Sequence, residues 1–360
     1  MLILYILGLV LIFYLLAKIC EQYFVSSLDI FAKKLHLSED VAGATFMAIG
    51  SSAPEFFTAL IAVLKVGSEQ IGSGTIVGSA IFNILVIIGA SAVIARTYLT
   101  WQPVIRDIVF YLLSIIVLLL TFQDGKITLI ETLLYISSYA GYIIVLKYWP
   151  RFVSYKERKD KLADVVSAVE KEDEVLEKRH GLFSNVLLFI DKALGASFPD
   201  LKKKPSLYPV TFGISILYII VLSWFLVEIA VLTAHTLGIP EVIIALTILA
   251  AGTSIPDLLS SIIVARQGRG DMAVSNAVGS NIFDILICLG IPWFFYISVT
   301  GKHMVVATEN LISSILLLFF TVIVLLFLLL LRKFRISRRA GFLLLVLYIG
   351  YVVYAISLAY

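Results

Sequence analysis

Residues 49–55, Ile-Gly-Ser-Ser-Ala-Pro-Glu, return at 251–257 as Ala-Gly-Thr-Ser-Ile-Pro-Asp. Residues 77–85, Val-Gly-Ser-Ala-Ile-Phe-Asn-Ile-Leu, return at 278–286 as Val-Gly-Ser-Asn-Ile-Phe-Asp-Ile-Leu. The offset is 202 residues in the first block and 201 in the second. Two apolar stretches share Leu, Ile and Val by chance. They do not by chance align Gly, Ser, Pro and an acid in register twice. The chain therefore carries a duplicated unit, and each copy brings carboxylates into an apolar run.

Composition says where such runs sit. The 360 residues are 60% hydrophobic and 15% charged, with a mean hydropathy of +1.02. A soluble domain is about 45–50% apolar and about 25% charged. An ordinary soluble enzyme, a disordered chain and a nucleic-acid binder are excluded. The composition implies an all-α polytopic membrane protein, because helices satisfy their own backbone in lipid. Ten runs are long enough to cross a bilayer, near 2–24, 41–64, 72–95, 105–122, 128–148, 208–236, 241–265, 272–298, 308–331 and 340–359. The first is too long for a signal-peptide core and lacks a small-residue cleavage site before Glu21, so it is expected to be a span. Cys20 and Cys288 lie in apolar runs and read as small hydrophobes.

Between the fifth and sixth runs the composition changes. Residues 151–205 hold 12 Lys/Arg and 10 Asp/Glu. They divide the chain into a first half (1–150, repeat 38–95), a charged linker (151–206) and a second half (207–360, repeat 239–298). Apolar residues Leu162, Val165, Val166 and Val169 recur at helical spacing, so the linker is expected to hold a solvated helix. If the linker is cytoplasmic and the spans alternate, 25 of the 28 Lys/Arg fall inside and only Lys65, Lys126 and Lys302 outside. That is the positive-inside bias, and it places both termini outside.

Five spans separate the two repeats. Five is odd, so the copies cross in opposite senses. The expected fold is ten transmembrane helices in two inverted five-helix repeats. Inverted repeats are typical of secondary transporters, which bind their substrate at mid-membrane on helices interrupted by Gly or Pro. Pro54 and Pro256 lack an N–H and so free the carbonyls of Gly50 and Gly252.

Glu55, Asp257 and Asp284 lie well inside spans. Each ionised acid at a helix centre costs about 2.5–3.5 kcal/mol, roughly 8–10 for three. No Lys or Arg occurs at 35–64 or 270–301 to offset this. A mobile cation is the expected partner. Ser51/Glu55, Thr253/Asp257, Ser79/Asn83 and Ser280/Asp284 are each four apart, so each pair is expected on one helix face, with Ser52 and Ser254 on the same side. Hard oxygens of this kind suit Ca²⁺ and alkali ions. Three acids carry −3, which one Ca²⁺ plus one monovalent cation, or three Na⁺, would match. Glu228 sits in the sixth span without a counterpart in the first half, and facing an aqueous access path is the lesser of the readings open for it. Asp271, Glu241, Asp40, Glu131 and Glu309 are expected at helix starts or interfaces, Arg106 and Asp107 at an interface, and Trp101, Trp149 and Trp293 as membrane anchors.

Residues 40–55, 246–257, 270–274 and 279–284 resemble the two α-repeats of the cation/Ca²⁺ exchanger superfamily. The Gly279-Ser280-Asn281-Ile282-Phe283-Asp284 segment is most similar to the potassium-dependent sodium/calcium exchangers. The resemblance implies Glu55 and Asp257 as shared Ca²⁺/Na⁺ ligands, with Ser51, Ser52, Ser79, Asn83, Thr253, Ser254 and Ser280 as supporting oxygens. It implies the backbone carbonyls of Ala48 and Ala250 as Na⁺ ligands and Asp284 as the acid linked to K⁺. The expected activity is Na⁺/Ca²⁺ antiport by alternating access, with K⁺ moving alongside Ca²⁺, at the plasma membrane. The alternatives are a Ca²⁺/H⁺ or K⁺-independent exchanger of the same fold, an intramembrane aspartyl protease using Asp257 and Asp284, and a channel. No enzyme activity, cofactor, nucleic acid or obligate protein partner is expected; the partners are the cations and the lipid bilayer.

Overall fold

A computed structural model describes residues 1–34, 48–65, 69–94, 97–153, 190–201, 204–266, 270–306 and 308–357. Nine long apolar helices occur among them: α1 (Leu2–Leu28), α3 (Gln70–Ile94), α4 (Trp101–Thr121), α5 (Leu129–Trp149), α6 (Pro205–Leu237), α7 (Glu241–Ile263), α8 (Met272–Thr300), α9 (Leu311–Leu331) and α10 (Arg338–Ser357). A shorter apolar helix, α2 (Ala53–Leu64), takes the place of the second expected span. The first part of that span, Asp40 and the linker helix lie outside the described residues.

The two repeats break their helices at matched positions. The short helix Ala48–Ser51 stops at Ser52 (φ −91, ψ 11) and α2 begins with Pro54 in its first turn. In α7, the segment Ala250–Thr253 stops at Ser254 (φ −83, ψ 6) before Ile255–Arg266 resumes. Proline is tolerated in a first turn and not in an interior, so each Gly-Ser/Thr-Ser-X-Pro run stops one helix and starts another. A second matched feature is a wide π turn, Asn83–Ile87 in α3 and Asp284–Leu289 in α8. Each opens on a repeat-matched polar residue, and π turns concentrate at functional sites.

Packing puts the duplicated helices in the middle. α2 packs on α3, α7 packs on α8, and α3 crosses a further π turn in α7, Ala245–Leu249. The central window of α3 is 83% buried, against 22% for α5 and α10, which face the surroundings. α3 and α7 approach backbone to backbone at Gly78, where a Cβ would strike the Leu246 carbonyl and Ala250. α1 and α6 pack on each other. Leu9, Phe13, Leu16, Ile219, Leu226 and Val227 from this pair belong to an apolar cluster separate from the main one. The linker's end joins them. Asp191 accepts from Tyr14 Oη at 2.7 Å, Phe198 stacks on Tyr23 at 3.8 Å, and Tyr218 of α6 donates to Ser197 at 3.0 Å.

Two small strand pairs fix the sense of the crossings. Thr97–Tyr98 (β1), after α3, pairs with Arg335–Ile336 (β4), between α9 and α10. Lys126–Ile127 (β2), between α4 and α5, pairs with Met304–Val305 (β3), after α8. Loops that pair share one face of the membrane, so an even number of crossings must separate them. Six helices lie between β1 and β4, and four between β2 and β3. Only α4 lies between β1 and β2, which places the two strand pairs on opposite faces.

Two expectations, for Trp293 and for Arg106 with Asp107, are corrected. Trp293 is 1% exposed and packs between Phe122 and Tyr135 in the core, because α8 continues two turns past it. Arg106 and Asp107 are buried as an ion pair (2.8 Å), with Tyr142 donating to Asp107 at 3.2 Å. Glu228 is half-exposed but paired with Lys65, which follows α2, at 2.5 Å. Glu131 does start a helix, as expected, closing a capping box with Thr128. Glu241 lies in the first turn of its helix, 3.8 Å from His235. The side chains of Asp271 and Glu309 lie outside the described residues.

Candidate cation-binding site

The helix breaks bring both repeats' acids to one buried place. Glu55 and Asp284 are 0% exposed and Asp257 is 1%. Glu55 Oε1 accepts from Ser79 Oγ at 3.3 Å and from Ser254 Oγ at 3.2 Å. Ser79 and Ser254 also hydrogen-bond each other. Asp257 Oδ1 accepts from Ser280 Oγ at 3.3 Å and Asn276 Nδ2 at 3.2 Å. Ser51 Oγ lies 3.5 Å from Ser280 Oγ and also reaches Asp257. Thr253 reaches Glu55. Asp284 interacts electrostatically with Glu55 and Asp257, and its Oδ1 accepts from Cys288 Sγ at 3.6 Å.

The hydroxyls at the helix breaks, Ser51, Thr253 and Ser254, therefore serve the acid of the other repeat. Ser51 and Thr253 were expected beside their own acids, four residues on. The bend at Ser52 and Ser254 intervenes, so the face rule of a continuous helix does not carry across it. The result is a pseudo-twofold exchange in which Ser51 meets Asp257 and Thr253 meets Glu55. The within-repeat contacts are Ser79 to Glu55 and Ser280 to Asp257, and they also match.

One oxygen of each acid stays unpaired. Glu55 Oε2, Asp257 Oδ2 and Asp284 Oδ2 are buried without a hydrogen-bond partner, as are Ser52 Oγ and Asn83 Oδ1. A buried acceptor left unmade costs about 1–3 kcal/mol, more when charged. Five such acceptors in one region are a set of hard oxygen ligands for a cation. Among the described residues no three carboxylate, imidazole or thiol groups gather at one point. The oxygens are thus a mixed set, with hydroxyl and amide groups between the carboxylates. Ala250 is buried, and its carbonyl accepts from Ser254 N–H at 3.3 Å and from Thr253 Oγ1 at 3.5 Å. Ala48 opens the short helix before the first break.

Three residues in this region, Asn276, Asn281 and Tyr111, were not singled out as site residues from the sequence, and Cys288 was read there only as a small hydrophobe. Asn276 reaches Asp257, and Asn281 bonds Asn83. Tyr111 holds Asn281, and Cys288 touches both Asp284 and the Ser52 carbonyl (3.9 Å). Asn276 and Asn281 had one available signal, which is that they stand in the second repeat opposite Thr75 and Ala80.

A ten-helix bundle of inverted repeats, with broken helices aiming unpaired hard oxygens into its middle, is the make-up of a membrane ion carrier and not of an enzyme. The chain belongs to the sodium/calcium exchanger family, whose pattern matches residues 5–148 and 207–357. It is similar to sodium/potassium/calcium exchanger 4 of Mus musculus, 31% identical over 99% of this chain and 81% of the relative. It is also similar to sodium/potassium/calcium exchanger 2 of Homo sapiens, 30% identical over 99% of this chain and 78% of the relative. Among solved structures, the sodium–calcium exchanger NCX_Mj soaked with 10 mM Na⁺ and no Ca²⁺ aligns at TM-score 0.58 and 26% identity, covering 98% of this chain and 99% of that one. The H⁺/Ca²⁺ exchanger CAX aligns at TM-score 0.70 and 15% identity, covering 98% and 80%, and so shares the fold.

Proposed function

We propose that the protein exchanges Na⁺ for Ca²⁺ across the plasma membrane, with K⁺ carried in the same direction as Ca²⁺. One observation carries this reading: three buried carboxylates each present an oxygen that no other group satisfies. A site of charge −3 is neutralised by Ca²⁺ with K⁺, or by three Na⁺. An empty site would drag uncompensated charge through the membrane, so the carrier crosses well only when loaded. That makes exchange faster than leak. Glu55 and Asp257 are read as the Ca²⁺/Na⁺ ligands, helped by Ser51, Ser52, Ser79, Asn83, Thr253, Ser254 and Ser280. The carbonyls of Ala48 and Ala250 join for Na⁺, and Asp284 balances K⁺. Access alternates as α1 and α6, which pack on each other, move against the helices that hold the ligands. The names of the relatives at about 30% identity support K⁺ involvement. The charge distribution supports termini outside and the linker inside.

The test is Ca²⁺ uptake into proteoliposomes under an outward Na⁺ gradient, with K⁺, Li⁺ or choline as the external co-cation. Uptake that needs Na⁺ inside and K⁺ outside is expected. Uptake driven by a pH gradient without Na⁺ would assign Ca²⁺/H⁺ exchange instead, and equal uptake in choline would remove K⁺ from the cycle.

A further inference from the structure

Asn83 is an ambiguous ligand. A carboxylate offers an oxygen on either side, but a side-chain amide offers an oxygen on one side and an NH₂ on the other. The two ends have nearly the same shape. Packing alone does not choose between them, and an NH₂ turned toward a cation repels it. We infer that Asn281, backed by Tyr111 and the Ala80 carbonyl, is a positioning residue that fixes the Asn83 amide with its oxygen facing the cation site. The inference deepens the reading of this region as a cation site and rests on it.

The direction follows from one group that can only accept. The Ala80 carbonyl takes a hydrogen bond from Asn281 Nδ2 at 3.1 Å. The same Nδ2 donates to Tyr111 Oη at 2.9 Å. Both hydrogens of the Asn281 NH₂ are thereby placed, so its Oδ1 faces the opposite way. There it accepts from Asn83 Nδ2 at 2.8 Å. The order donor-to-acceptor thus runs from Asn83 through Asn281 to Ala80. Reversing either amide would set oxygen against oxygen in a region where Ala80, Asn83, Tyr111 and Asn281 are all 0% exposed. A mismatch buried at this depth is costly. What remains of Asn83 is Oδ1, buried and without a partner.

The asymmetry of the repeats fits this role. The second copy has Asp284 opposite Asn83, and both oxygens of an acid accept, so nothing has to orient it. The position opposite Asn281 in the first copy is Ala80. It supplies its carbonyl and needs no side-chain amide. The copy with the ambiguous ligand is the one served by the orienting Asn.

The test compares Asn281→Leu, which keeps the size and removes both polar ends, with Asn83→Ala and with the double variant. Two measurements are made: half-saturating Ca²⁺ and maximal rate in proteoliposomes, and the rise in unfolding temperature that Ca²⁺ gives the detergent-purified protein. Asn281→Leu should raise half-saturating Ca²⁺ about tenfold, the scale of one mis-set ligand, at nearly unchanged maximal rate. Asn83→Ala should raise half-saturating Ca²⁺ at least as much, and the double variant should be no weaker than Asn83→Ala alone. With Asn83→Asp as background, where a carboxylate oxygen faces Asn281 Oδ1, Asn281→Leu should not weaken Ca²⁺ binding and should relieve that contact, since a carboxylate needs no orienting. Additive losses, an equal loss in the Asn83→Asp background, or wild-type Ca²⁺ binding in Asn281→Leu would overturn the inference. If Asn281→Leu does not fold, Tyr111→Phe decides: a shift of about twofold in the same direction, absent from the Asn83→Asp background, supports it, and unchanged half-saturation sinks it. A wild-type protein that neither transports nor is stabilised by Ca²⁺ sinks the reading of the site itself and takes the ligand claim with it.

Discussion

A carboxylate oxygen without a partner is among the least tolerable atoms in an apolar bundle, and Glu55, Asp257 and Asp284 each keep one. The cost is borne in the unloaded protein, so removing a charge should help folding while harming transport. Glu55→Gln is expected to unfold at a higher temperature than the wild type in choline buffer. It should also lose the stabilisation that Ca²⁺ confers and show roughly a hundredfold weaker Ca²⁺ uptake, the equivalent of about 3 kcal/mol of charged-group interaction. A Glu55→Gln protein with wild-type uptake would remove Glu55 from the site. Asp284→Asn lowers the site to −2, which Ca²⁺ alone satisfies. It should keep Ca²⁺ uptake and lose its dependence on external K⁺, and unchanged K⁺ dependence would dismiss Asp284 from that role. These acids were legible in the sequence because nothing basic lies near them along the chain. Their actual partners were not. Ser51 and Thr253 cross to the other repeat because the helices bend between them and their own acids. Asn281 is hidden because an amide 198 residues along the chain from its target leaves no spacing rule to read.

At the scale of elements, the repeat equates positions that the packing does not. Gly78 and Gly279 stand at the same place in the two copies. A Cβ at Gly78 would meet the Leu246 carbonyl and Ala250, whereas a Cβ at Gly279 would meet nothing within 4 Å. Gly78→Ala should therefore destabilise by about 1–3 kcal/mol through overpacking against backbone. Gly279→Ala should be neutral or gain up to about 1 kcal/mol from helix propensity. Thermal unfolding in detergent measures both, and equal effects at the two sites would show that α3 and α8 pack alike after all. A similar test applies to the linker's end, where Phe198 is buried against Tyr23 and Tyr218. Phe198→Ala should lower the unfolding temperature, with a cost of about 3 kcal/mol if the site cannot collapse. The spans themselves were readable from hydropathy and the breaks from Gly and Pro. The π turns, the two strand pairs and the docking of 190–201 on α1 and α6 were not. Each depends on which loops and helix faces meet in three dimensions, and their local sequences carry no distinguishing pattern.

For the whole molecule, two independent arguments bear on topology, and they answer different questions. The strand pairs say which loops share a face, from geometry alone: β1 with β4, and β2 with β3, on opposite sides. The charge bias is the argument for which face is which: with ten alternating spans, 25 of 28 Lys/Arg fall on the side of β1, β4 and the linker, and the positive-inside rule would make that side cytoplasmic. Both native cysteines are buried, so an introduced surface cysteine reports its own side. Lys126 in β2 and Arg332 beside β4 are both exposed. An impermeant maleimide added to intact cells should label Lys126→Cys, and should label Arg332→Cys only after permeabilisation. The reverse pattern would keep the inverted-repeat fold and overturn the orientation. Labelling of both from one side would break the fold, because a single helix, α4, separates the β2 loop from the face on which β1 and β4 meet. The outcome also constrains transport. A site built from two oppositely directed copies sees each face through equivalent helix ends, so the same oxygens can be offered first to one side and then to the other without being rebuilt.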